Sequence, residues 1–71
     1  MPVRVVVRQF DYEMLSEVAK RYGGQEDVCN IGEDPDTFEV IYRVGSPLQG
    51  EKFSKAAGRL SGVSSVANVE K

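Results

Sequence analysis

Near its start the chain alternates two kinds of side chain: Val3, Val5 and Val7 fall on one side of an extended strand, and Arg4, Val6 and Arg8 on the other. Successive side chains of a strand point to opposite faces, so this segment can bury its valine side only if its arginine side stays in water. The pattern predicts a sheet covered on one face and open on the other. Thr37–Val44 repeats the device, with Phe38, Val40, Tyr42 and Val44 on one face and Glu39, Ile41 and Arg43 on the other.

Helical periodicity follows each of these strands. After the first, which reads as Val3–Phe10, Asp11 stands where an N-cap carboxylate would accept from first-turn amides, with Phe10 and Leu15 at staple spacing. Leu15, Val18, Ala19 and Tyr22 then form one apolar stripe, and Gly23-Gly24 ends the helix. After the second strand, Ser46-Pro47-Leu48-Gln49 is a capping box with proline at the first helical position, where its missing N–H costs nothing. Phe53, Ala56, Ala57 and Leu60 make the stripe of that helix, predicted to run to about Ser61. Gly50 and Gly58 weaken it, and close approach to the sheet is the expected reason. Asp27–Ile31 and the Thr37 strand make a hairpin around Gly32-Glu33-Asp34-Pro35-Asp36, and Val63–Val69 reads as the last strand.

The order β-α-β-β-α-β, with short connections and right-handed crossovers, predicts an α+β, ferredoxin-like βαββαβ sandwich: a four-stranded antiparallel sheet with two helices on one face. Residues 1–71 are expected to be one domain, with the first and third strands central. The expected core is Val3, Val5, Val7, Leu15, Val18, Tyr22, Val40, Tyr42, Phe53, Ala57, Leu60 and Val63.

Composition narrows function mainly by exclusion. The chain has 41% hydrophobic and 28% charged residues, ordinary for a globular protein, and a formal net charge of −2, which is not that of a bulk nucleic-acid binder. Histidine is absent and Cys29 is the only cysteine, so imidazole catalysis, an internal disulfide and a cysteine-pair zinc site have no residues to use. The acidic hairpin lacks calcium-loop spacing: counting from Asp34, Phe38 holds the fifth position and Glu39 the sixth, where glycine is needed. A non-enzyme without cofactor or metal is therefore expected. Arg4 and Arg8 interrupt the N-terminal apolar run, and no stretch approaches the ~20 apolar residues of a membrane span. A cytoplasmic chain that does not insert into the membrane is the expectation.

Two surfaces are candidate sites. The first is the outward sheet face, where Arg4, Val6, Arg8, Ile41 and Arg43 set an apolar pair inside a basic ring. A self-associating or protein-binding face is expected there. The alternative is a nucleic-acid or acidic-partner surface using Arg4, Arg8 and Arg43, with Lys52, Lys55 and Arg59 on the second helix; base stacking has no outward aromatic to use. The second is the strand–helix junction Gln9-Phe10-Asp11, a candidate small-ligand site where free helix amides can hold a carboxylate and Asp11 an amine. A capped, stapled helix start explains Phe10 and Asp11 equally well.

The tail Leu60-Ser61-Gly62-Val63-Ser64-Ser65-Val66, closing a βαββαβ chain, resembles that of ACT domains and is similar to the C-terminal soluble domain of MgtC-type membrane proteins. Heavy-metal-associated domains end similarly, but their Cys-x-x-Cys is replaced here by Gln9-Phe10-Asp11-Tyr12, which removes the metallochaperone expectation. Amino-acid-binding ACT domains usually have a glycine in the loop after the first strand, and Gln9-Phe10-Asp11 has none. The resemblance implies an ACT-like regulatory or protein-protein interaction module, a homodimer or other homo-oligomer, with a small-molecule ligand as a further expectation.

Overall fold

A computed structural model describes residues 2–68. It contains β1 (Pro2–Arg8), a 3-10 turn (Gln9–Asp11), α1 (Tyr12–Arg21), β2 (Gln25–Ile31), β3 (Thr37–Arg43), α2 (Pro47–Gly58) and β4 (Val63–Asn68). The expected end of the last strand at Val69 lies outside the described residues. The sheet order is β2-β3-β1-β4, with antiparallel neighbours throughout and β1 and β3 in the middle. This is the ferredoxin-like α+β arrangement.

The parity of β1 decides the layering. Val3, Val5 and Val7 are each 0% exposed, whereas Arg4 and Arg8 are exposed. The valines meet Val40 and Tyr42 of β3, Leu15 and Ala19 of α1, and Phe53 and Ala57 of α2 in one core. Burying each large member stabilises the fold by about 1.5–3 kcal/mol before ordering costs. The Tyr42 and Phe53 rings pack edge to face with centroids 5.2 Å apart. Ala19 and Val44 are buried in addition to the expected set, while Val18, Tyr22, Leu60 and Val63 are only partly covered. Along α1 the stripe is wider than the contact: Leu15 and Ala19 point at the sheet, and Val18 and Tyr22 flank it.

Both helix boundaries follow local chemistry. Tyr22 caps α1, Gly23 takes φ +71°, and the amides of Gly23 and Gly24 donate to the carbonyls of Lys20 (3.2 Å) and Ala19 (2.6 Å). This is a Schellman motif, which needs a residue free to be left-handed. At α2 the Ser46 hydroxyl accepts from the Gln49 amide at 3.2 Å, the serine half of the capping box. The helix stops at Gly58, short of Ser61. Gly50 is buried, as close approach requires, but a methyl group on Gly58 would meet nothing within 4 Å.

The α1 start differs from expectation. β1 ends at Arg8, a 3-10 turn intervenes, and the Asp11 side chain makes no capping bond. Its carboxylate instead accepts the Gly62 amide at 2.6 Å, with the Ser61 hydroxyl at 3.5 Å. The Gly62 carbonyl in turn accepts the Arg8 amide at 2.8 Å. A Cβ on Gly62 would sit 2.7 Å from the Asp11 carboxylate, so this approach requires glycine. Phe10 is 68% exposed, so it does not close over the buried Leu15 as a staple.

Candidate functional site

The sheet face opposite the helices is uncovered and gathers Arg4, Val6, Arg8, Ile41 and Arg43 as expected. Register extends it. Val28 of β2 lies opposite Ile41, and Ala67 of β4 opposite Arg4, so with Val6 each strand places one apolar side chain on this face, Arg4 standing between Ile41 and Ala67. The sequence pattern missed Val28 and Ala67. Their place depends on a register shift between Glu26 and Val28 and another between Val6 and Val7 on the β4 side, and single-strand periodicity carries no signal for either.

Acids neutralise part of the basic ring. Arg4 Nε lies 3.2 Å from Glu39 Oε2, and Arg43 Nε lies 3.2 Å from Asp27 Oδ2, the bulged residue of β2. These are exposed pairs, worth at most about 1 kcal/mol each, but they lower the positive field available to a phosphate chain. The β2–β3 turn rises at the other end of the face. It is held by buried Thr37, whose hydroxyl donates to the Asp34 carbonyl at 2.8 Å. Between that turn and the β4 bulge lies a concavity of about 290 Å³, floored by Val6 and lined by Arg4, Glu33, Asp34, Glu39 and Ser65. Arg43 therefore lies at one end of the face, Glu33, Asp34 and Arg8 at the other, and Arg4 in the row between, opposite Ile41 and Ala67.

At the strand–helix junction, Gln9 and Phe10 line a shallow depression of about 320 Å³ with Arg8 and Asp36. The Gln9 amide donates to the Asp36 carbonyl at 2.7 Å, which fixes the two loops together. Asp11 is not part of this depression, because its carboxylate is engaged by the α2–β4 turn. On the helix layer, Lys52, Lys55 and Arg59 gather around Tyr22 in a hollow of about 180 Å³, and Lys55 pairs with Glu51 at 3.3 Å.

The remaining titratable cluster flanks β2 on the helix side. The Tyr12 hydroxyl donates to Glu26, and that bond, followed by partial burial, pushes the phenol up to about 12. Loss of solvent contact and then the Glu26 charge raise the Cys29 thiol above its ordinary value, with Tyr12 pulling weakly the other way. Cys29 is thereby a protonated thiol at neutral pH and a poor nucleophile. Among the described residues there is no group of three or more His, Cys, Asp or Glu side chains able to hold a metal ion, and no helix long and apolar enough to cross a membrane. Comparison with protein-family models, curated proteins and solved structures finds no match to the chain.

Proposed function

We propose that this chain is a non-enzymatic, ACT-like regulatory and protein-interaction module that pairs with a second copy of itself through the open sheet face. The carrying observation is the group of apolar side chains, Val6, Val28, Ile41 and Ala67, that the helices leave uncovered on the open sheet face. A two-fold stacking of two such faces buries the apolar group of each copy against that of the other, the same patch on both sides, as an isologous interface needs. The nucleic-acid alternative loses ground because Arg4 and Arg43 already hold carboxylates.

A small ligand fits this reading at the Gln9–Phe10 depression. Phe10 offers an exposed ring, and Arg8 and Asp36 offer one charge of each sign, which suits a zwitterion. Sedimentation velocity over a concentration series tests the pairing. The wild-type chain is expected to dimerise, and Ile41→Asp to stay monomeric with an unchanged far-ultraviolet spectrum. A wild-type chain that remains monomeric at millimolar concentration overturns the proposal.

A further inference from the structure

β2 is an edge strand, and all seven of its residues are exposed. Its free side follows from the ladder. The Gly32 amide donates to the Thr37 carbonyl at 2.8 Å, and the register continues Ile31↔Phe38, Asn30↔Glu39, Cys29↔Val40 and Val28↔Ile41. Antiparallel pairs alternate between bonded and non-bonded, so Asn30 and Val28 bond inward to β3. Cys29 and Ile31 then direct both their N–H and C=O groups away from the sheet.

Edge strands are normally blunted by lysine, proline or a bulge. Here the bulge falls at Asp27, and the four residues from Val28 to Ile31 carry no such device. Ile31 is 78% exposed. It lies beside Phe38, which packs edge to face on Tyr12 with centroids 5.3 Å apart, so an apolar shelf borders the free edge on its helix side.

Charge selects the occupant. The segment from Gln25 to Asp36 holds five acids and no lysine or arginine. Pairing β2 with β2 of a second copy, antiparallel through Cys29 and Ile31, places Glu26 and Asp27 beside the partner's Asp34 and Glu33. Like charges directly opposite are destabilising, so this register with a second copy is disfavoured, whereas basic flanks meet the same acids favourably. We propose that the outer edge of β2 is a docking site for an extended peptide with an apolar centre and basic flanks, added as a fifth strand through the backbone of Cys29 and Ile31. Main-chain bonds supply affinity, the shelf by Ile31 takes alternate side chains, and the flanking acids supply selectivity. This surface is separate from the sheet face, so either reading can fail alone.

The probe is a peptide of alternating valine and threonine with two lysines at each end, titrated into the isotope-labelled chain while amide exchange is followed. Binding is expected to slow exchange of the Cys29 and Ile31 amides specifically, because those of Val28 and Asn30 are already bonded. Binding is expected to weaken with salt and to be lost when the peptide's valines are N-methylated or its lysines become glutamates. Cys29→Pro removes an outward N–H that β3 does not use and is expected to abolish binding; Ile41→Asp on the sheet face is expected to leave it intact. Any of three results overturns the proposal: no binding at millimolar peptide, equal binding of the N-methylated peptide, or protection of Cys29 and Ile31 that rises with protein concentration in the absence of peptide.

Discussion

Tyr42 sits in the core at 1% exposure, yet its hydroxyl oxygen is buried without a partner in hydrogen-bonding geometry. An unsatisfied buried hydroxyl costs about 1–3 kcal/mol, so Tyr42→Phe, which keeps the ring against Phe53, is expected to stabilise the fold by about 1 kcal/mol. For a chain of 71 residues the unfolding entropy is about 0.15 kcal/mol per kelvin, which makes this a rise of about 7 °C in Tm. The gain should grow in alkali. Burial, the largest influence, raises the Tyr42 phenol from 10.0 to about 12, while the nearby Ser16 hydroxyl acts in the opposite direction. Below pH 10 both folded and unfolded chains keep this proton and the wild-type fold has its full stability. Above pH 10 the unfolded chain releases it first, and about 2–3 kcal/mol is lost as pH approaches 12. Phenylalanine has no proton to release, so the difference between variant and wild type widens over that range. Urea unfolding followed by circular dichroism at neutral pH and at steps up to pH 11.5 measures it. A variant less stable than wild type by 1 kcal/mol or more would refute the reasoning, because the hydroxyl would then have to be satisfied.

Asp11→Ala leaves the Gly62 amide without its carboxylate and should cost about 1.5–3 kcal/mol, read from the denaturation midpoint. Gly62→Ala drives a methyl group into Asp11 and should destabilise by about 1–3 kcal/mol, whereas Gly58→Ala meets open space and should stabilise by about 0.5–1 kcal/mol; the two alanines are compared in one denaturation series. Ultraviolet titration should show Tyr12 ionising near 12, and Glu26→Gln should bring that midpoint back towards 10.0.

Local chemistry was legible in the sequence where each signal resides in neighbouring residues. Valines alternating with arginines set β1, Ser46 and Pro47 set the start of α2, and Gly23-Gly24 set the end of α1. Signals depending on distant partners were not legible. Asp11 has the composition of a cap, but its acceptor role is claimed by Gly62, fifty-one residues away. The core place of Ala19 was missed because a small residue between Val18 and Tyr22 carries little hydrophobic weight. In the candidate face the parity of Arg4, Val6, Arg8, Ile41 and Arg43 could be read from period two alone. The Arg43–Asp27 pair and the addition of Val28 and Ala67 could not, because two bulges set those registers, and the Arg4–Glu39 pair follows from the β1–β3 alignment, which the period of neither strand reveals.

The central claim is that the bare sheet face is where this chain meets its copy. Amide shifts recorded as a labelled sample is diluted from millimolar to micromolar concentration test it most directly. Changes are expected to concentrate at Val6, Val28, Ile41 and Ala67, with the outer faces of α1 and α2 still. Changes centred on the helices instead, or none over the whole range, would contradict it.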